Sequence, residues 1–280
     1  MTLEEWGIYV GILAWTGIAL SLASWLLLKK YPRTVKNFLG QAIPVGYGLY
    51  LWSWAVAASL ALWAASLWTS KPAQAAFMFV SVIGFLGLMD DYFGEHGKGG
   101  FRGHFIRLLR EKRLTTGATK AIFGGALALA AAFILRDAPY MVLPDALLIA
   151  LSANFINLLD LRPGRAGWVF NVLLALLTLA VSSHPLFIHY LAMVTPCLLA
   201  LLILLPKDSK ARWIMGDSGS NVLGGLLGVC AVAYLGHTAK LILLLLLVAI
   251  HFYAEKRSLS QLIGTSPVLC YLDKKTGFRA

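Results

Sequence analysis

AQAAFMFVSVIGFLGLMDD, residues 73–91, decides how the rest of the chain is read. Its first 17 residues carry no charge, enough for a helix to cross a hydrocarbon core of ~30 Å, and the run ends on adjacent carboxylates, Asp90 and Asp91. An ionised carboxylate beside hydrocarbon is costly unless a cation or water compensates it. Two other apolar segments have polar ends of the same kind. Asn154, Asn157 and Asp160 close one, and Gly216-Asp217-Ser218-Gly219-Ser220 opens another. Three such clusters point to a metal-dependent site at a membrane face.

Composition supports an all-α, polytopic integral membrane protein. Of 280 residues, 59% are apolar and 13% charged, and the mean hydropathy of +0.75 excludes an ordinary soluble globular domain. Runs of membrane length predict about nine transmembrane helices, near 5–28, 47–69, 73–89, 117–136, 141–159, 166–183, 186–205, 218–236 and 238–254. With the N-terminus outside, 20 of the 24 lysines and arginines fall on inner loops and the tail. Lys71, Arg136 and Lys240 lie outside, and Lys120 sits at a helix start. This asymmetry predicts a multi-pass plasma-membrane protein with an external N-terminus and a cytoplasmic C-terminus. Glu4 and Glu5 replace the basic region of a secretory signal, so the first span is expected to be a retained anchor.

The simplest division is one membrane domain, 1–280, whose residues 255–280 form a cytoplasmic tail. Pro267 interrupts the tail's longest uncharged stretch, Ser258 to Leu272, which predicts a broken amphipathic segment on the inner surface and no tenth span. Small residues spaced by four, Gly7 and Gly11 in the first span and Ser220, Gly224 and Gly228 in the eighth, predict close helix approach. Cys197, Cys230 and Cys270 read as packing residues.

On this topology all three polar clusters face the cytoplasm. Asp90 and Asp91 end an inward-running helix, where the macrodipole disfavours each anion by ~0.3–1 kcal/mol. A cation is therefore expected there: Lys98 or Arg102 if the pair is merely solvated, a metal if it is functional. Asn154, Asn157 and Asp160 step by three over about 120° of one helical face. They suit bonding to a nucleotide or a metal-bound water, with interhelical hydrogen bonds as the alternative for the asparagines. Asp217 opens an outward-running helix whose free N–H groups favour phosphate, or it is a plain cap. The glycine-rich loop Gly94–Gly103, with Lys98 and Arg102, lacks the P-loop pattern and reads better as a linker. His96 and His104 are weak metal-ligand candidates, and the basic residues from Arg102 to Arg113 suit anionic headgroups.

In this order and on these loops, the motifs resemble those of the polyprenyl-phosphate N-acetylhexosamine-1-phosphate transferases, glycosyltransferase family 4. Asp90-Asp91 looks like the family's paired aspartates, Asn154-x-x-Asn157-x-x-Asp160 like its Asn/Asp motif, and Met215 through Ser220 like its Gly-Asp-x-Gly-Ser motif. Asn37, Pro44 and Gly46 are similar to a weaker signature after the first span. The resemblance implies transfer of a sugar 1-phosphate from a UDP-sugar to a membrane polyprenyl phosphate in cell-envelope glycan synthesis, peptidoglycan included. It implies Mg²⁺ or Mn²⁺ at Asp217 with Asp91 near it, Asp90 deprotonating or orienting the acceptor phosphate, and Asp160 and Asn157 holding the metal-bound diphosphate. Asn37, Asn154, Gly216, Ser218 and Gly219 would contact substrate. The implied partners are polyprenyl phosphate, UDP-sugar and membrane lipids, with a homodimer left open and no nucleic acid.

The chain departs from the family pattern in three places. Gly94 replaces the lysine expected three positions after the second aspartate, and Leu161 through Gly167 replaces a second Asp-Gly. Glu255-Lys256-Arg257 and a short tail stand where a histidine-rich loop is expected. Arg162 and Arg165 are the candidates to hold the diphosphate instead. A non-catalytic relative that binds or flips lipid-linked sugars is the alternative, and an ion-coupled transporter fits less well because these acids cluster at one face instead of the midplane.

Overall fold

The computed structural model describes residues 3–30, 34–36, 40–64, 70–94, 116–136 and 138–277. Its long helices are α1 (Leu3–Lys30), α2 (Gly48–Ala64), α3 (Lys71–Phe93), α4 (Thr116–Leu135), α5 (Val142–Leu159), α6 (Arg165–Ala180), α7 (Phe187–Ser209), α8 (Gly216–Tyr234) and α9 (His237–Lys256). Each overlaps one of the apolar segments singled out above. Five of them, or nearly the same ranges, are long and apolar enough to cross a membrane: Glu4–Lys30, Lys71–Phe93, Pro139–Leu159, Phe187–Ser209 and His237–Lys256. Gly48–Ala61, Thr119–Leu135 and Arg165–Ala180 are shorter apolar helices. The protein is a helical membrane protein.

One small element escapes the all-helical expectation. β1 (Thr34–Lys36) and β2 (Ala42–Pro44) pair antiparallel, with Val35 opposite Ile43. Three-residue strands carry too little periodicity to be seen among membrane-length runs.

The tail forms two short helices, α10 (Leu259–Thr265) and α11 (Pro267–Thr276). Pro267 ends the first and begins the second, where its fixed φ and missing N–H cost nothing, and Ser266 caps α11 by accepting from the Leu269 N–H at 3.4 Å. Neither helix, of 7 and 10 residues, has the length to span a bilayer.

α8 occupies the centre. Every residue from Ser218 to Val232 is buried, the pattern of a helix surrounded by others. Its glycines let neighbouring backbones touch it. A β-carbon on Gly224 would lie 2.3 Å from the Ser152 carbonyl oxygen of α5, and one on Gly228 would lie 2.8 Å from the Ile149 Cα. On the other flank a β-carbon on Gly225 would meet the Phe79 ring of α3 at 2.3 Å. The four-residue spacing of Ser220, Gly224 and Gly228 thus marks the α5 interface, as expected, and Gly225 adds a second against α3. At the opposite end from the polar clusters, Lys240 of α9 pairs with Asp145 of α5 at 3.4 Å, both almost fully buried.

Candidate active site

The loop before α8 is seated by the chain before α2. The Ile214 N–H donates to the Pro44 carbonyl, the Gly46 N–H to the Ile214 carbonyl, and the Gly48 N–H to the Met215 carbonyl, at 3.3, 3.3 and 3.1 Å. Gly48 has no room for a side chain, since a β-carbon there would lie 2.3 Å from the Gly219 nitrogen. Pro44 and Gly46 therefore belong to the support of the Met215–Ser220 motif.

Gly216 turns the chain into α8 with a φ of +76°, and a β-carbon on it would sit 2.7 Å from both carboxylate oxygens of Asp91. Both facts demand glycine. The turn presents the first amides of α8 to two carboxylates from other helices. The Gly216 N–H donates to Asp160 Oδ2 at 3.0 Å, and the Asp217 N–H to Asp91 Oδ1 at 2.7 Å. Ser218 gives Asp91 Oδ2 both its N–H, at 3.0 Å, and its hydroxyl, at 2.8 Å. A helix start leaves N–H groups without partners and carries partial positive charge, so Asp91 acts as a cap supplied from another helix. The same contacts offset its unfavourable place at the C-terminal end of α3.

The second motif joins the third one turn further on. Ser220 donates its hydroxyl to Asn157 Oδ1 at 2.8 Å, and Asn221 donates to the Asp217 carbonyl at 2.5 Å. Asn157, Asp160, Asp91 and the Gly216–Ser220 turn are thereby brought together. Asn154, one turn back on α5, is exposed and makes none of these bonds.

Asp217 turns its carboxylate away from the capping role. It contacts the Lys120 ammonium directly, and Asp90 approaches the same ammonium at 3.8 Å. Lys120, Asp90 and Asp217 are each partly exposed, so the trio is open to ligands. Lys120 is the main residue that the sequence reading missed: it stands 97 positions from Asp217, and its one sequence signal is a charge at the start of an otherwise apolar α4.

Asp160, in the turn after α5, has its pKa held well above the usual carboxylate range, first by burial, then by the negative neighbours Asp208, Asp217 and Asp91, against the lowering bond from Gly216. Asp208 is a second residue missed from sequence. It is buried on α7 and accepts from the Tyr47 hydroxyl at 3.2 Å and from the Gly164 N–H at 3.0 Å. Gly164, at φ +74°, opens α6.

Of the two arginines expected at the diphosphate, Arg162 is exposed, whereas Arg165 is buried and engaged by the tail. Its guanidinium donates to both Asp273 oxygens, at 2.8 and 3.0 Å, and to the Ser260 hydroxyl at 2.8 Å. Gly219 packs against Gly48. Asn37, His96, Lys98, Arg102 and His104 lie outside the described residues.

Among the described residues no group of three or more His, Cys, Asp and Glu side chains forms a metal cage. Mg²⁺ does not ask for one, since it takes one or two carboxylates and completes its shell with substrate phosphates and water. Asp90 and Asp217 converge on one ammonium, so they converge where a cation is stabilised, and that donor set fits Mg²⁺. Asp91, expected beside Asp217 at the metal, has both oxygens turned to the α8 amides.

No curated protein matches the chain. The sequence pattern of glycosyl transferase family 4 matches residues 73–235, more than half of the chain and a span that holds Asp90, Asp91, Lys120, Asn157, Asp160 and the α8 turn, and the chain belongs to that family.

Proposed function

We propose that this family 4 transferase moves a sugar 1-phosphate from a UDP-sugar to a polyprenyl phosphate at the cytoplasmic face of the plasma membrane. UMP leaves, and a diphosphate-linked lipid for cell-envelope glycan synthesis, such as peptidoglycan, remains. In this reading the nine long helices cross the bilayer with the N-terminus outside, which puts the aspartates among the basic inner loops that attract two anionic substrates.

The observation that carries the reading is the Lys120 ammonium shared by Asp217 and Asp90 beside the amide-rich start of α8. Asp217 and Asp90 would hold Mg²⁺ or Mn²⁺, and Asp91 fixes the turn that presents Asp217. When bound there, such an ion would supply neutralisation of the charge developing on departing UMP. Lys120 would offer a positive charge to the substrate phosphates. Asp160 holds the Gly216 side of the turn through the amide bond it accepts, and Asn157 positions the Ser220 side.

The test is purified protein with undecaprenyl phosphate, Mg²⁺ and a panel of UDP-sugars, followed by UMP release with and without EDTA. UMP release that disappears in EDTA supports the proposal. Inactivity with every donor, together with retained binding of lipid-linked sugar, would favour a non-catalytic binder. The engagement of Arg165 by the tail is the observation on that side.

A further inference from the structure

The start of α6, the end of α7 and the end of the tail helix α11 border an open groove of about 430 Å³, a cavity in the protein surface lined by Trp168, Leu202, Leu205, Pro206, Lys210 and Lys275 among others. That volume is within the ~300–1,000 Å³ typical of small-molecule sites. None of its lining residues belongs to the aspartate cluster. The walls are mostly apolar, two lysines are part of the lining, and no carboxylate of the described residues lines it. The tail's nearby acid, Asp273, is already matched by Arg165.

The outer face of α11 beside this groove is apolar and exposed. Val268, Tyr271 and Leu272 are all more than half exposed and follow the i, i+3, i+4 spacing of one helical face, which Lys275 continues at i+7. An exposed apolar stripe on a short helix that ends in lysines is the pattern of a helix lying in the headgroup layer. α11 is also fixed in place. Arg165 grips Asp273 from below, and a β-carbon on Gly164 would lie 2.6 Å from the Thr276 carbonyl oxygen, so the tail passes flush over the start of α6.

We infer that this cavity binds one anionic glycerophospholipid. An acyl chain packs along Leu202, Leu205, Pro206 and Trp168, and the phosphate-bearing headgroup sits between Lys210 and Lys275. Apolar walls with a cationic rim at headgroup depth match a lipid that joins hydrocarbon to negative charge, and they match neither a free anion nor a neutral amphiphile. A bound lipid steadies the end of α11 further, because Lys275 and Thr276 line the groove.

The inference is tested on the delipidated full chain in detergent, titrated with phosphatidylglycerol, phosphatidylcholine of the same chain length, or inorganic phosphate. Bound lipid is read by native mass spectrometry, and amide exchange is followed across residues 267–277. Phosphatidylglycerol is expected to bind preferentially and to slow exchange in α11. The double variant Lys210→Gln/Lys275→Gln, both exposed and so harmless to folding, should weaken phosphatidylglycerol about thirtyfold and leave phosphatidylcholine unchanged. Leu202→Trp, at a half-exposed wall position, should block the chain with both lysines intact. Equal binding of the two lipids, binding indifferent to the lysines, or protection by inorganic phosphate alone would each overturn it.

Discussion

α1 and α8 carry the same sequence device and use it in opposite ways. Gly7 and Gly11 in α1 have nothing within 4 Å of the position a β-carbon would take, whereas every such position at Gly219, Gly224, Gly225 and Gly228 of α8 is blocked by a neighbour closer than 3 Å. The stripe of small residues is the same, and the surroundings decide what it does. In lipid no hydrophobic force drives helices together, so close approach needs something extra. α8 has polar ties at its start, the bonds to Asp91, Asp160 and Asn157. α1 has few, and it leaves Trp15, Ile18 and Leu22 more than half exposed.

The sharpest test removes the charge from α8 and keeps its packing. Asp217→Asn retains size and helix-start geometry, so thermal stability should hold while turnover falls by about two orders of magnitude or more. Retained UMP release would reduce the start of α8 to packing alone. Next, Gly224→Val and Gly11→Val place the same side chain in the two stripes. Overpacking predicts a loss of about 1–3 kcal/mol in α8, and an exposed site predicts a change within about 0.5 kcal/mol in α1, both read from thermal unfolding in detergent. Comparable losses would erase the contrast.

A smaller effect is expected at the tail. Arg165→Gln leaves Asp273 without its ion pair and should cost about 1–3 kcal/mol locally, seen as faster amide exchange in residues 259–277 with α8 unchanged. The smallest is a pH effect in metal-free protein. Because the folded Asp160 carboxyl is raised above its unfolded value, its contribution is present at low pH and is lost as pH rises through the folded value. Melting temperature should therefore fall on going from pH 5 to pH 8, and Asp160→Asn should flatten the slope.

Much of this arrangement is legible in sequence because membrane length and charge placement are local properties. The apolar segments, the break at Pro267, the glycine spacing of α8 and the polar ends of α3, α5 and α8 all follow from runs and offsets. Partners distant in sequence do not. Nothing near Asp217 announces Lys120, and nothing near Gly164 announces Asp208 or the tail. A carboxylate at a helix end, such as Asp91, asks for a positive partner, and sequence alone does not show that the partial charge of another helix start supplies one.

The cap that α3 lends to α8 also has a history in time. Asp91 is synthesised 126 residues before the Asp217 amide that it accepts. While the residues of α4 to α7 are being made, that carboxylate has water or a passing cation for a partner, and Lys120, 29 residues downstream, is the earliest lysine of the described residues to follow it. When α8 emerges, its first three amides find their acceptors already in place. Completion of the site and closure of the helix bundle are then one event in biogenesis, and a chain stalled before residue 216 would have neither.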